Sequence, residues 1–289
     1  MQNFKKSNFI DLLEVTKKSF FEKLGNKKSN KLEQKFKNYY LSKVKNNSIF
    51  LNFNKKEKII FPFKKMGLRT SADLFGYYEH LIFLIYYLKY EKYKKKKVAD
   101  IGSNIGLHSL ILSKFKYKID SYEPDPKHLK VQKQIIKKNN CKNVKFINKG
   151  VYDSNGTKNF YRVLDNTAAN YIEGQKNGYG KLQKIKIKTV NIKDISKKYS
   201  LIKMDAEGSE GVIIKGMTKQ SLEKVDIICE ISGDENAVKI FEHCKKNKIN
   251  IYSHKNYWNK VVKLEQLPNH HTQGLTLITK ENNYFKFIK

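Results

Sequence analysis

Two segments of this sequence combine glycines with acidic residues in patterns that can bind a ligand. Residues 98–106 (VADIGSNIG) predict a strand that ends in a tight turn, and they contain Asp100, Gly102, Asn104 and Gly106. The glycines let the backbone turn and approach a ligand, and the helix that follows presents free N–H groups. The segment lacks the middle glycine of GxGxxG and the Gly-Lys-Ser/Thr of a P-loop. An acidic residue here repels pyrophosphate and favours a ligand that carries an ammonium group.

A second acidic residue lies at the predicted end of the next strand. Glu123 follows Gly106 by 17 residues, within SYEPDP, where a carboxylate can accept hydrogen bonds from both hydroxyls of a ribose. Ammonium plus ribose, without pyrophosphate, describes S-adenosylmethionine; the alternative is an ordinary glycine turn of an α/β protein. The residues predicted to bind this cofactor are Asp100, Gly102, Asn104, Gly106, Glu123 and Asp153.

Carboxylates also cluster in residues 202–210 (IKMDAEGSE), where the fourth predicted strand passes into a helix. Ligands of open α/β sheets bind over the carboxyl ends of the central strands, so this segment is expected to face the glycine loop. Asp205 and Glu207 are the candidates for a base that accepts a hydroxyl proton. Glu210, in the first helical turn, is explained equally well as a charge that complements the helix dipole. Glu230, at the end of the fifth strand, is expected to close the site from the other side.

The elements that must position these residues alternate along the chain. Strands are predicted at residues 98–102, 119–123, 144–148, 200–204, 225–231 and 249–253, and helices at 105–116, 126–139, 209–222 and 234–247. The tail, including residues 275–279, alternates like a final hairpin. This pattern is typical of an α/β fold with a mostly parallel central sheet, here of seven strands, and helices on both faces. An insertion after the third strand is expected to contain a hairpin around residues 153–156 and a strand at 183–190.

The first quarter of the chain differs from the rest. It is rich in lysine and shows helical periodicity, followed by two short strands about a Lys55-Lys56 turn. We therefore predict an N-terminal helical and hairpin extension over residues 1–72 and a main domain over residues 73–289. A helix at residues 74–90, apolar almost all round, is expected to be buried between other elements.

The net charge of +32 suggests a nucleic-acid partner, but the type of basic residue argues against one. Only two of the 59 basic residues are arginines, and arginine is the side chain that best matches phosphates and guanines. A lysine excess beside many asparagines is typical of an AT-rich coding sequence. No specific nucleic-acid partner is therefore expected, although residues 1–97 are twice as densely positive as the remainder.

Three features of the sequence bear on where the protein is located in the cell. No apolar run is long enough to span a bilayer, and the N-terminus does not resemble a secretory signal. The three cysteines are widely spaced, which fits a reducing compartment. These features predict a cytoplasmic protein without a transmembrane segment. They are also compatible with a homo-oligomer.

Together, the two motifs resemble the FkbM family of S-adenosylmethionine-dependent methyltransferases. The family's hallmarks are a D-x-G-x-N-x-G loop and a later K-x-D-x-E-G-x-E segment, which residues 100–106 and 203–210 match in order. Residues 211–216 (GVIIKG) complete the second motif, and the resemblance covers about residues 78–230. It implies a class I (Rossmann-like) methyltransferase fold and methyl transfer, most often to a hydroxyl of a sugar or polyketide.

The resemblance favours one function over two alternatives. The first hypothesis is an enzyme that O-methylates a sugar hydroxyl in a surface glycan or a related small molecule, with Asp205 and Glu207 as catalytic residues. Asn170, Glu230 and His254 are the candidates for acceptor binding. The motifs require no metal ion, although crowded carboxylates leave open a divalent cation that bridges two sugar hydroxyls. The alternatives are an RNA methyltransferase that uses the basic N-terminal region and a non-catalytic glycan-binding protein that retains the fold.

Overall fold

The N-terminal region folds into helices and short antiparallel strands. The computed structural model describes residues 7–66, 69–93, 96–286 and 288. The first elements are α1 (Phe9–Lys17), α2 (Lys27–Ser42), β1 (Val44–Lys45), β2 (Ser48–Asn52), β3 (Lys58–Pro62), β4 (Lys65–Met66), β5 (Arg69–Thr70), α3 (Tyr77–Leu88) and α4 (Tyr90–Tyr93). Helix α1 begins after Asn8, whose side chain accepts a hydrogen bond from the Asp11 N–H while Asp11 accepts one from the Asn8 N–H. Strands β1, β2 and β3 form the expected antiparallel hairpin with one added strand.

This region packs directly on the rest of the chain. The indole of Trp258 stacks on Phe20 with 5.0 Å between ring centroids, and its Nε1 donates to the Phe20 carbonyl at 3.1 Å. The Asn139 side chain bonds to both the N–H and the C=O of Ile60. Helix α3 is buried along most of its length, as its apolar sequence predicted. The N-terminal region and the main sheet share one hydrophobic cluster, and a domain boundary at residue 72 stays a prediction.

The main part of the chain alternates strands and helices. In chain order it contains β6 (Lys97–Ile101), α5 (Leu107–Lys114), β7 (Lys118–Tyr122), α6 (Pro126–Lys138), β8 (Val144–Ile147), β9 (Gly150–Tyr152), β10 (Gly156–Val163), β11 (Tyr171–Ile172), β12 (Leu182–Asn191), α7 (Ile192–Ile195), β13 (Leu201–Met204), α8 (Glu210–Lys215), α9 (Lys219–Leu222), β14 (Asp226–Cys229), α10 (Asp234–Asn247), β15 (Asn250–Ser253), β16 (Asn259–Lys260) and β17 (Thr276–Thr279). The single helix predicted at residues 209–222 is wrong, because Thr218 begins a new helix by accepting a hydrogen bond from the Ser221 N–H. No helix in the described part of the chain is long and apolar enough to cross a membrane.

The central sheet has eight strands in the order β16-β15-β17-β14-β13-β6-β7-β8. Strands β14, β13, β6, β7 and β8 are parallel, and β17 is antiparallel to both neighbours. The sheet has one strand more than predicted, because the two-residue β16 pairs with β15 at its edge. Since β6 and β13 are parallel neighbours, Asp100 lies opposite Lys203 in the register. The carboxyl ends of the parallel strands open at one edge, where ligands of α/β sheets bind.

The insertion between β8 and β13 forms a second sheet in the order β11-β10-β12-β9. The predicted hairpin around residues 153–156 is a turn between β9 and β10, but these two strands do not pair, because β12 lies between them. Arg162 in β10 makes a two-point ion pair with Asp125, which follows β7, at 2.6 Å for each nitrogen–oxygen contact. Both side chains are buried, so the pair fixes the insertion over the carboxyl end of β7.

Candidate active site

A cleft, here called the first cleft, opens at the carboxyl ends of β6, β7 and β13. It encloses about 580 Å³ of empty space, part of which is open to solvent. Its polar wall includes Gly102, Asn104, Glu123, Asn170, Asp205 and Glu207. Apolar side chains, among them Val151, Phe160 and Ile172, come from the insertion. A largely apolar wall with a few converging polar groups is typical of a small-molecule site.

The glycine loop and the loop after β13 are in direct contact. Gly102 has a φ of +71°, and a Cβ there would lie 1.8 Å from the carbonyl oxygen of Asp205. Gly106 has a φ of +90°, and a Cβ there would lie 2.4 Å from Cγ of Gln132. Both glycines are therefore required by protein packing as well as by the turn. Gly102 lines the first cleft, whereas Gly106 faces Gln132, so the predicted contact of Gly106 with the cofactor has no support in the structure.

Glu123 is buried on the wall of the first cleft. Its two carboxylate oxygens accept hydrogen bonds from the N–H groups of Asn104, at 2.7 Å, and Asp125, at 2.8 Å. Burial raises the pKa of Glu123 to about 8, against the lowering effect of these donors. In its protonated form Glu123 keeps one free acceptor position and one O–H donor, so it can still exchange hydrogen bonds with the hydroxyls of a ligand.

Asp100 lies deeper than the sequence indicated. It is fully buried, and its Oδ2 accepts a hydrogen bond from the Ser109 hydroxyl at 2.7 Å. Its Oδ1 lies 3.9 Å from the ammonium of Lys203. Within the described chain, the walls of the first cleft do not include Asp100. The positive partner of Asp100 is therefore a side chain of the protein itself, and the expected contact with a ligand ammonium has no support in the structure.

A smaller cleft, the second cleft, lies on the other side of Asp205. It includes about 230 Å³ of empty space, part of which is open to solvent, and its lining includes Tyr78, Glu79, Lys203, Asp205, Glu230 and Leu275. Asp205 belongs to the walls of both clefts, and 37% of its side chain is exposed. Groups bound in the two clefts therefore approach each other at this carboxylate.

Glu207 is held in an uncommon backbone conformation on the wall of the first cleft. Its φ is +50°, a left-handed value that few non-glycine residues adopt. Its carboxylate pairs with the ammonium of Lys176, which belongs to the insertion. Burial and the negative charge of Asp205 raise the pKa of Glu207 to about 7, although Lys176 lowers it. Glu207 therefore changes its charge near neutral pH, as groups at functional sites often do.

Glu210 is not an exposed charge at a helix start. It is 1% exposed, and its carboxylate accepts hydrogen bonds from the N–H groups of Ala206, at 2.8 Å, and Gly208, at 3.1 Å. Burial raises its pKa to about 8. The interpretation as a simple helix-dipole charge is wrong, because Glu210 organises the loop that carries Asp205 and Glu207.

Of the four remaining candidates, two line a cleft and two do not. Asn170 lines the first cleft, and its Oδ1 accepts a hydrogen bond from the Val163 N–H at 2.9 Å. Glu230 lines the second cleft. Asp153 is exposed in the turn after β9 and bonds to the neighbouring Ser154 hydroxyl at 2.9 Å. Its predicted role in cofactor binding has no support, because it lies outside the lining of the first cleft.

His254, predicted to bind the acceptor, is a buried packing residue. Its ring stacks on Trp258 with 5.2 Å between centroids, and its Nε2 lies 2.9 Å from the Glu22 carbonyl oxygen. Burial lowers its pKa to about 4, so the ring is neutral at physiological pH. The N-terminal region covers this side chain, and the prediction of acceptor binding by His254 has no support in the structure.

Comparison with known protein families identifies the chain. A family model described as the methyltransferase FkbM domain matches residues 100–269, more than half of the sequence. The chain belongs to the FkbM methyltransferase family. No curated protein matches the sequence. Together with the sheet order, membership identifies a class I methyltransferase fold and an S-adenosylmethionine-dependent methyltransferase.

Solved structures that resemble this FkbM-family chain are only distantly similar in sequence. Precorrin-6y C5,15-methyltransferase from Geobacter metallireducens is 14% identical, with coverage of 58% of this chain and 72% of its own and a TM-score of 0.36. A protein from Streptococcus mutans, solved in complex with SAH, is 10% identical, with coverage of 66% of this chain and 95% of its own and a TM-score of 0.37. The METTL16 MTase domain is 12% identical, with coverage of 71% and 68% and a TM-score of 0.41. At this level of similarity, none of them bears on the acceptor of this chain.

The first cleft fits S-adenosylmethionine, the cofactor of the FkbM family. Glu123 presents a buried carboxyl group that can still donate and accept a hydrogen bond, which suits ribose hydroxyls. Gly102 and Asn104 bring the glycine loop to the same wall, and Val151 and Phe160 supply an apolar surface for a flat ring. The individual contacts stay predictions. Among the residues described, no group of three or more His, Cys, Asp or Glu side chains is arranged to hold a metal ion.

Three residues at or beside the first cleft were not recognised in the sequence. His128 Nδ1 lies 3.8 Å from a Glu123 oxygen, Lys176 pairs with Glu207, and Arg162 fixes the insertion. Arg162 carried a usable signal, because it is one of only two arginines in a lysine-rich chain. Lys176 carried no such signal in the sequence, because lysines are frequent throughout the chain and its partner, Glu207, belongs to a different element.

The buried carboxyl groups predict that stability falls as pH rises. Glu123 and Glu210 have pKa values of about 8 in the folded protein, above the ordinary value of 4.5. The stability from these protonated groups is complete below about pH 4.5 and is lost as pH rises through about 8. Differential scanning calorimetry of the ligand-free protein should give a higher melting temperature at about pH 5 than at about pH 8.5. Glu210→Gln should reduce this difference, and a melting temperature that rises with pH would contradict these assignments.

Proposed function

We propose that this methyltransferase transfers its methyl group to a hydroxyl oxygen of a neutral sugar, in a surface glycan or a related small molecule. The observation that carries the proposal is the position of Asp205 on the walls of both clefts. With the cofactor in the first cleft, the second cleft is the adjoining space for an acceptor. Asp205 is then the carboxylate that an acceptor hydroxyl meets.

The reaction requires a proton acceptor beside the hydroxyl. S-adenosylmethionine carries its methyl group on a positively charged sulfur, so transfer breaks the S–C bond, forms a C–O bond to the acceptor and releases the hydroxyl proton. We assign acceptance of that proton to Asp205, with Glu207 as the alternative base. The Glu210 hydrogen bonds and the close contact of Gly102 with the Asp205 carbonyl hold this loop in place. Such fixed positioning is the other contribution that methyl transfer needs.

The charge of the second cleft favours a neutral acceptor with several hydroxyls. The carboxylates of Glu79 and Asp205 line it together with the ammonium of Lys203. Glu230 adds a carboxyl group whose pKa is raised well above its usual range by burial and by the charge of Asp205. Carboxylates accept hydrogen bonds from hydroxyl groups, whereas they repel the phosphates of a nucleic acid. The chemistry of the cleft therefore supports a sugar over RNA as the acceptor.

An acceptor panel tests the proposal. The purified protein is incubated with methyl-labelled S-adenosylmethionine and either neutral glycosides or RNA oligonucleotides, and the products are analysed by mass spectrometry. We expect the label on a glycoside oxygen, with formation of S-adenosylhomocysteine (SAH). Preferential labelling of RNA at physiological salt would replace the proposal with the RNA-methyltransferase alternative. Glycoside binding without any transfer would support the non-catalytic alternative.

Glu207 is expected to make cofactor affinity depend on pH. Ionised Glu207 attracts the positive sulfur of S-adenosylmethionine but not the neutral sulfur of SAH. The affinity for S-adenosylmethionine should therefore rise through about pH 7, where Glu207 ionises, while that for SAH changes less. Lys176→Met should move this midpoint to higher pH, because Lys176 lowers the pKa of Glu207. Calorimetric titrations over a pH series measure both ligands, and a pH-independent difference between them would refute this role of Glu207.

A further inference from the structure

The second cleft contains an ammonium that is paired with carboxylates but lies too far from them for close hydrogen bonds. Lys203, in β13, is 5% exposed and lines this cleft. Its Nζ lies 3.6 Å from Asp205 Oδ2 and 3.9 Å from Asp100 Oδ1, distances too long for hydrogen bonds. Asp100 Oδ1 is also buried without a hydrogen-bond partner in the described part of the chain. The three N–H groups of Lys203 can therefore donate hydrogen bonds to a ligand oxygen that enters this cleft.

Two carboxylates of the second cleft are each held through one oxygen. Oε2 of Glu79 lies 2.9 Å from Nε2 of His108, whose Nδ1 lies 3.0 Å from the Tyr86 hydroxyl. Oε2 of Glu230 accepts a hydrogen bond from the Tyr78 hydroxyl at 3.2 Å. Within the residues described, the second oxygen of each carboxylate has no hydrogen-bond partner. Both glutamates are therefore oriented and keep capacity to accept hydrogen bonds from a ligand.

This combination of groups selects one class of ligand. A hydroxyl accepts a hydrogen bond from an ammonium and donates one to a carboxylate, so it matches both kinds of group. A phosphate would meet the carboxylates of Glu79 and Asp205, and an amine would meet the ammonium of Lys203, so both are disfavoured by charge.

We propose that Lys203, Glu79 and Glu230 bind two neighbouring hydroxyls of one neutral sugar ring. Lys203 donates to the hydroxyl that faces Asp205, and the two glutamates accept from the hydroxyl beside it. His108 and Tyr78 act as positioning residues for Glu79 and Glu230. This inference rests on the proposed function, because it takes the second cleft as the acceptor site, and it adds that the substrate must carry adjacent hydroxyls.

Binding of sugars in the presence of SAH tests the inference without requiring turnover. The probes are methyl gluco-, galacto- and mannopyranosides with their monodeoxy analogues, and the readout is saturation-transfer NMR of the full chain. We expect at least one parent sugar to bind, and removal of either of two adjacent hydroxyls to weaken its binding about 10-fold or more. Glu79→Gln or Glu230→Gln should remove the discrimination at one hydroxyl only. Glu235→Gln, at an exposed residue of α10, should bind like wild type.

Three results would overturn the inference. One is that no parent sugar binds; another is that Glu79→Gln weakens parent and deoxy sugars equally. The third is that Lys203→Met loses SAH affinity, which would assign Lys203 to the cofactor. Because loss of the buried Lys203 charge can also unfold the chain, Tyr78→Phe provides a milder variant, expected to weaken only the parent sugars. Sugar binding without methyl transfer would contradict the proposed function and leave this subsite supported.

Discussion

Replacing Asp205 with Asn is expected to lower the turnover number by about 10²–10⁴ while leaving cofactor binding unchanged. Asparagine has nearly the size of aspartate, but it does not accept a proton from a hydroxyl. Asp205 is partly exposed at the junction of the two clefts, so the change should not disturb the core. Initial rates at saturating S-adenosylmethionine with a glycoside acceptor measure the effect, and calorimetry measures cofactor binding.

Two further variants are needed to interpret the result for Asp205→Asn. Glu207→Gln removes the alternative base on the wall of the first cleft, and a larger loss of turnover there than in Asp205→Asn would assign proton acceptance to Glu207. Glu235→Gln removes an exposed carboxylate of α10 and should retain full activity. Full activity in both the Asp205 and Glu207 variants would refute a carboxylate base in this loop.

Gly102→Ala is expected to lower the free energy of unfolding by about 3–5 kcal/mol and to abolish turnover. The added Cβ would lie 1.8 Å from the carbonyl oxygen of Asp205, a backbone atom that cannot rotate away. Relief of this clash requires the two loops to separate, which displaces the proposed base from the first cleft. Urea denaturation gives the free energy, and cofactor titration reports the state of the cleft.

Gly25→Ala is the matched control for this change. Gly25 has a φ of +78°, close to the +71° of Gly102, but apart from its two sequence neighbours no atom of the described residues lies within 4 Å of its added Cβ. It therefore reports the cost of left-handed backbone alone, about 1–2 kcal/mol, with activity retained. Equal losses of stability in the two variants would show that the contact between Gly102 and Asp205 is not what requires the glycine.

Features set by local pattern could be predicted from the sequence. The alternation of short apolar strands with amphipathic helices indicated the parallel strands correctly, because hydrophobic periodicity is a property of neighbouring residues. Asn104 was predicted for the cofactor site from the glycine loop and Glu123 from its place at the end of the next strand, and both lie on the wall of the first cleft. Asp205 was likewise placed at a strand end that faces the glycine loop.

Contacts that depend on sheet order and on distant packing could not be predicted in this way. Asp100 faces Lys203 because β6 and β13 are neighbours in the sheet, although about half of the main domain separates them in sequence. The covering of His254 by the N-terminal region depends on aromatic packing around Trp258, which no local pattern encodes. The role of Glu210 was misjudged for the same reason, since its burial is decided by the loop that folds over it.

A crystal structure with bound SAH tests most directly the central claim, that cofactor and acceptor occupy separate clefts that meet at Asp205. We predict that SAH lies in the first cleft, with its ribose at Glu123 and its sulfur toward Asp205, and that the second cleft stays free for the acceptor. SAH that extends between Lys203 and Glu230 would contradict the claim, because no space beside Asp205 would then remain for a sugar hydroxyl.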